Sequence, residues 1–292
     1  MIAIYRRELN SLFRGVMAWL MVAAWLMLGG FFVVRHNLGG GTSLFANAVL
    51  ALSDYIVPGM PFLAARCFTK DRGNGAMLWL GSLPVSKTGL FMGKYLAALT
   101  VFAIPTAVCA VFPVLLDNFG YLSYGSAYTA LFGYFLLGAA WLAVCCWVAS
   151  RCLRGWVAVL INLLLGVVVF LFILLEAVLT VLPLVGFLIF LAICAGAGTA
   201  TGIRSKRVLT GVLTGGIPAM LLTAGYVLYR PLFTLWIPRV LDFVSLFARL
   251  EGFCSGYLDL SATALYACVL VLAVFFAVNY PSSNYVKGGK KQ

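Results

Sequence analysis

The sequence predicts an all-α polytopic membrane protein that crosses the bilayer about eight times, and three observations predict it. The 292 residues are 64% hydrophobic and only 10% charged, whereas soluble domains are about half apolar and a quarter charged. The apolar residues gather in runs, several of them long enough for the roughly 20-residue crossing that a bilayer core demands. Those runs are continuous rather than alternating, so helices and not a closed barrel satisfy the backbone in lipid.

Taken in order, the first residues, Ile2 to Arg14, form a separate element. Ile2, Tyr5, Leu9, Leu12 and Phe13 recur at helical spacing, while Arg6, Arg7, Asn10 and Arg14 fall mostly on the other face. This is the pattern of an amphipathic helix lying in the membrane interface, its basic side toward anionic headgroups. No small-residue cleavage site follows, so the start of the chain is not read as a cleavable signal peptide. Eight spans are expected at about 15–35, 46–65, 92–116, 127–149, 157–175, 185–203, 208–229 and 263–280. Between the last two, residues 230–262 are too polar to span and too rich in Leu, Phe and Trp for a solvated loop. Short helices at or dipping into the outer leaflet fit that composition.

The net charge of +12 follows the positive-inside rule rather than pointing to nucleic acid. With the N-terminus in the cytoplasm, sixteen of the twenty basic residues lie inside, and only Arg35, Arg230, Arg239 and Arg249 lie outside. Both termini are therefore expected in the cytoplasm of a multi-pass protein of the cell (inner) membrane.

Chemistry-bearing residues are few. The eight cysteines include no C-x-x-C pair and His36 is the single histidine, so no metal site is expected. Most cysteines fall inside apolar runs, where Cys acts as a small hydrophobe. There is no phosphate-binding G-x-x-x-x-G-K-[ST] loop and no catalytic constellation. Gly211 and Gly215 have the spacing of a helix-packing motif. Asp54, flanked by Ser53 and Tyr55, lies inside the second apolar run. An acid there costs about 2.5–3.5 kcal/mol on insertion scales and is by default a functional candidate. Asp54 and Tyr55 are read either as lining a polar pathway or as a structural pair, and the sequence leaves both open.

The segment from Ala65 to Lys94 interrupts the apolar pattern with Arg66, Lys70, Arg72, Lys87 and Lys94, yet encloses an apolar knot, Ala76-Met77-Leu78-Trp79-Leu80. Gly73 and Gly75 let the chain turn away from the second span. The residue before Pro84 is biased out of the helical region, which ends a short helix near Leu83. Ser86 is placed to cap the next helix through its hydroxyl. A solvated loop needs no such knot; a docking helix does. The competing reading folds the knot back onto the protein's own spans.

Several stretches then resemble one family in order. They are Tyr5-Arg6-Arg7-Glu8-Leu9; Met60-Pro61-Phe62-Leu63-Ala64-Ala65-Arg66 through Asp71-Arg72-Gly73-Asn74-Gly75; Gly81-Ser82-Leu83-Pro84-Val85-Ser86 through Gly93-Lys94-Tyr95; and, late in the chain, Trp236-Ile237-Pro238 with Gly256-Tyr257-Leu258-Asp259-Leu260. Together they resemble ABC-2 type transporter permeases, the gliding-motility-type branch in particular. The chain departs from the family pattern in keeping Asp71 alone of an acidic pair and in carrying Leu78-Trp79 where Glu-Leu is usual. The resemblance implies an exporter permease that works as a homodimer or with a related permease. Two separate ATP-binding-cassette subunits would bind ATP and magnesium, with no cofactor in this chain, which is then not itself an enzyme. Residues 1–14 would be the connecting helix and 15–292 the permease domain. Residues 66–91 would hold the coupling loop, contacting the ATPase through Gly73, Met77, Leu78, Trp79, Leu80 and Pro84. A secondary transporter, a membrane-embedded enzyme and a non-transporting scaffold are the alternatives of other classes; the substrate is not readable.

Overall fold

The computed structural model describes residues 1–40, 44–73, 86–118, 123–181, 212–228 and 245–279, with 187, 191–192, 194–196 and 198–199 between them. Among the described residues the chain is helical, with no strand. Among the described residues four helices, Val16–Leu38, Thr88–Asp117, Tyr124–Ala149 and Leu260–Asn279, are long and apolar enough to cross a membrane, and a bent pair makes a fifth if it counts as one span. The chain is therefore a membrane protein. Two shorter apolar helical pieces, Gly155–Leu171 and Thr214–Ala224, lie where the sequence predicts the fifth and seventh spans.

The chain divides into two units, Met1–Gly166 with Arg249–Gln292, and Val167–Ala248. The first opens with α1 (Ile2–Phe13), which buries Ile4, Glu8 and Leu12. These residues are four apart and so share one helix face. Of the apolar residues that the sequence reads as one face of an interfacial helix, Leu12 is buried and Ile2 is 71% exposed, while Glu8 is drawn in among charged partners. Gly15, extended at φ −91° and ψ 154°, separates α1 from α2 (Val16–Val33), whose last turn widens into a π-helical turn, Val34–Leu38. Ala18, Val22, Trp25, Gly29 and Phe32 form the buried stripe of α2.

α3 (Phe45–Ser53) and α4 (Ile56–Gly73) are the bent pair, meeting at 53°. The helical run predicted as the second span is therefore interrupted, and the break falls at Asp54–Tyr55. After residues 74–85, α5 (Lys87–Cys109) begins where the sequence places its cap: Ser86 Oγ accepts from the Gly89 amide at 3.1 Å. α5 contains Pro105 and continues through α6 (Phe112–Asp117).

α7 (Tyr124–Ala149) is the hub, packed by α3, α4, α5 and two later helices. Of its most apolar stretch 67% is buried, against 17% in the last helix. Its small residues let neighbours approach closely, the device expected where lipid supplies no hydrophobic drive between helices. Gly138 lies against the Phe102 ring, and Gly133 against Phe253, where a Cβ would meet ring carbon at 2.6 Å. Trp25 donates its indole N–H to Tyr134 Oη at 2.9 Å across the buried α2–α7 contact. α8 (Gly155–Val181) follows, with buried Asn162 donating to the Cys145 carbonyl at 3.3 Å. Cys67, Cys109, Cys145, Cys146 and Cys152 are buried. α10 (Leu250–Cys254) and α11 (Leu260–Asn279) complete this unit, after α9 in the other.

In the second unit, a π-helical turn, Val212–Gly216, leads into α9 (Ile217–Leu228). Gly215 is packed so closely on Gly198 that a Cβ would lie 2.6 Å from its Cα. Its glycine is thus a packing residue; Gly211 lies outside the described residues. So do most of the predicted span 185–203 and residues 229–244 of the outer segment.

Candidate functional site: a buried ion cluster at the stems of the 74–85 segment

α4 ends and α5 begins on either side of residues 74–85, and α1 packs on both α5 and α2. Where α1, α4 and α5 meet, charged side chains are buried together. Lys94 on α5 is 2% exposed, Glu8 on α1 5% and Asp71 on α4 8%. The Lys94 ammonium is hydrogen-bonded to Asp71 Oδ2, donates to the Cys67 carbonyl at 3.1 Å and stands 3.9 Å from Glu8 Oε1. Arg7 closes the group from the more exposed side, with Nη2 at 2.9 Å from Asp71 Oδ2 and 2.7 Å from Glu8 Oε1. The ammonium also sits 5.7 Å from the centre of the Phe68 ring.

Two carboxylates and two cations thus neutralise one another in a site largely closed to water. Moving a single charge there without a partner costs several kcal/mol, whereas a mutual, hydrogen-bonded group repays most of that cost and fixes one geometry. Around it, Ile4 packs onto Gly93, where a Cβ would lie 3.0 Å from Ile4 Cγ2, and Tyr5 Oη is 3.1 Å from Thr100 Oγ1. Thr69 turns its hydroxyl back to the Ala65 carbonyl at 2.7 Å. The result is a tie between the N-terminal helix and both stems of the 74–85 segment.

Sequence reasoning groups Lys94 with Arg66, Lys70, Arg72 and Lys87 as a basic flank near phosphate headgroups or acidic partner groups. The structure corrects that for Lys94, which points inward because Asp71 and Glu8 await it. The signal that would have found the cluster is the single acid, Asp71, retained on one stem, with a lysine on the other and Glu8 in register with Ile4 and Leu12. Gly73 is the last residue of α4; Met77, Leu78, Trp79, Leu80 and Pro84 lie outside the described residues.

Asp54 and Tyr55 form no part of this cluster. Both are exposed, Tyr55 by 41%, and they occupy the break between α3 and α4. The Tyr55 ring lies 5.4 Å from Phe32, which in turn stacks on His36 at 6.1 Å. Nearby Ser53 returns its hydroxyl to the Leu50 carbonyl at 2.7 Å.

A second polar group lies between α10 and α11. Asp259 Oδ1 accepts from the Ser261 and Ala262 amides at 2.8 and 3.2 Å and from Ser261 Oγ at 2.7 Å, which caps α11. Arg249 donates to Ser261 Oγ at 2.8 Å and stands 3.9 Å from Asp259 Oδ2. The Ser261 hydroxyl first, then the two amides and Arg249, hold the Asp259 carboxyl below the usual range. Gly256, at φ +91°, makes the turn between the two helices in a conformation that favours glycine. Phe253, fully buried, anchors the segment on α7, with its carbonyl accepting from Thr129 at 2.8 Å.

The chain matches no family model and no curated protein.

Proposed function

We propose that this chain is the membrane-spanning permease subunit of an ABC-2 type transporter. It exports a substrate of unassigned identity through energy supplied by a separate ATP-hydrolysing subunit. In this reading the protein has eight spans and lies in the cell (inner) membrane with both termini in the cytoplasm. α1 is the connecting helix, and residues 73–84 are a coupling helix seated in the ATPase. The chain acts as a dimer, with itself or with a related permease, and ATP and magnesium belong to the partner ATPase.

The observation that carries the reading is the ion cluster. A segment that receives a mechanical push from a partner transmits it only if its stems move as one body. Asp71 and Lys94 tie the two stems to each other, and Arg7 and Glu8 tie both to α1. The motif order around Gly73, Pro84 and Lys94 agrees with the same arrangement. A second reading, an ion-coupled secondary transporter, draws on the break at Asp54–Tyr55, because discontinuous helices often build ion sites in such proteins. It predicts that Asp54→Asn abolishes ion-driven uptake without any ATPase present.

The deciding experiment purifies the full chain from native membranes and identifies what remains bound. The permease reading expects an ATP-binding-cassette ATPase, with its hydrolysis changed by the association. Trp79→Ala with Leu80→Ala should weaken retention by about 2 kcal/mol or more, as for an interfacial aromatic anchor. No ATPase retained, or retention and hydrolysis unchanged in the double variant, would overturn it.

A further inference from the structure

Beyond Arg7, on the more exposed side of the ion cluster, α1 and α4 border a cavity of about 580 Å³, lined by Arg7, Asn10, Ser11, Arg14, Gly15, Arg66 and Lys70. Four cations from α1, its C-terminal cap and α4 converge there. Arg7 is committed in part to Asp71 and Glu8. Among the described residues Arg14, Arg66 and Lys70 are in no ion pair. Lys70 is instead positioned by a neutral partner, donating to Ser11 Oγ at 2.7 Å. The Arg66 guanidinium sits beside the backbone of Gly15, where a Cβ would lie 3.6 Å from Nη2. Gly15 is also the N-cap of α2 and has no side chain to satisfy the first turn, so the amides and positive dipole end of a long helix add to the same field. Like charges gathered with no counter-ion call for an anion with several acceptor oxygens.

The surroundings say which anion. From the cavity's edge at Gly15, α2 runs away as a membrane-crossing helix with Val16, Trp19 and Leu20 exposed by 71%, 60% and 59%. Trp19 is fixed at that level by its N–H to the Phe13 carbonyl, 3.0 Å, and by edge-on contact with the Phe13 ring. Tryptophan so placed is typical of the headgroup boundary. A basic pocket opening directly onto an exposed apolar helix face suits a molecule with a phosphate at one end and acyl chains at the other.

We propose that this pocket binds the phosphate of an anionic glycerophospholipid, with Arg14, Arg66 and Lys70 as the ligands and the exposed face of α2 as the seat for its acyl chains. Arg fits phosphate oxygens bidentately and Lys adds a point charge. The bound lipid joins α1 to the α2 start and to α4, next to the ion cluster with which the pocket shares Arg7, and it needs no ATPase partner.

The test titrates the full chain in non-ionic detergent with fluorescent phosphatidylglycerol, with phosphatidylcholine and inorganic phosphate as competitors. The expected result is displacement by unlabelled phosphatidylglycerol at concentrations at least tenfold below those of either competitor. In Arg14→Gln/Arg66→Gln/Lys70→Gln affinity should fall by roughly fivefold per charge removed, while Arg35→Gln, at the far end of α2, behaves as wild type. Unchanged preference in the triple variant overturns the site. Displacement by inorganic phosphate as effective as by phosphatidylglycerol overturns the lipid assignment in favour of a free phosphate. Because three changes together can impair folding, wild-type protein is also photolabelled with a phosphatidylglycerol carrying a diazirine beside its phosphate. Labelling within residues 10–20 or 66–70 supports the site, and labelling confined to other peptides overturns it.

Discussion

Asp71 and Asp259 each meet basic side chains, and the contrast between them shows what a charge contributes at two depths of one protein. The Asp71 side chain is 11% exposed and shares its neutralisation with Lys94, Arg7 and Glu8; that of Asp259 is 28% exposed and has Arg249 at 3.9 Å. At Asp71 the backbone gives little, so removing a partner strands a charge away from water. At Asp259 two amides and a hydroxyl do most of the work, and the ion pair is an addition. Buried groups hold by mutual dependence, exposed ones by local hydrogen bonding.

The largest effect is expected where that dependence is broken. Lys94→Met leaves Asp71 and Glu8 with Arg7 alone and should cost about 3–5 kcal/mol, the usual penalty for one orphaned member of a buried pair. Thermal unfolding of the purified protein in detergent measures it. A loss below about 1 kcal/mol would show that water reaches the cluster and that the contrast with Asp259 is false. The sharper arm is Lys94→Met with Asp71→Leu, which removes both charges and leaves the Arg7–Glu8 pair at 2.7 Å intact. It should recover most of the loss, because apolar replacement of a complete buried pair is often neutral. Under the proposed permease function, a stable double variant that nonetheless fails to retain an ATPase would separate a coupling role for the cluster from its folding role.

The segment carrying Asp259 is held by shape more than by charge. Phe253 fills the notch left by Gly133, so Gly133→Ala should destabilise by about 1–3 kcal/mol, the range for overpacking. Pairing it with Phe253→Leu, which opens the notch, should lessen the penalty. Additive losses instead would mean that the ring and the glycine do not share one contact.

How much of this was legible in the sequence differs between the same two regions. Apolar run length found α2, α5 and α7 as helices long enough to cross a membrane, because an apolar run leaves a composition signal that needs no tertiary information. Ser86 was legible as a cap because a cap is a local event, satisfied three residues along at Gly89. The ion cluster was not, since Asp71 and Lys94 are 23 residues apart and on different helices, and Glu8 joins from a third helix. The burial of Glu8 on α1 was not legible for the same reason: a buried glutamate looks polar until its partners are known. At Asp54 the sequence offered an acid inside an apolar run but no sign that the helix breaks there by 53°. The GxxxG spacing pointed correctly to packing at Gly215, while the notch at Gly133 carried no motif at all.

The smallest expected effect, and the one that best separates capping from charge, is at Asp259. Asp259→Ala removes the acceptor for the Ser261 and Ala262 amides and should cost about 1 kcal/mol, as N-cap loss does. Arg249→Gln should cost less than about 1 kcal/mol, because an exposed pair at this distance contributes little. The pH dependence follows from the lowered Asp259 carboxyl. Its unfolded value is near the ordinary aspartate pKa of about 3.9, and its folded value lies below that. The stabilisation from the ionised cap is therefore fully present at neutral pH and is lost as pH falls from about 4 through the folded pKa. Wild type must be compared with Asp259→Ala rather than read alone, so that the contribution of this one carboxyl is isolated. The gap in unfolding temperature between the two should be widest at pH 7 and shrink at pH 3. A gap that stays constant would mean that Asp259 caps α11 equally well without its charge, and that the exposed region owes nothing to electrostatics.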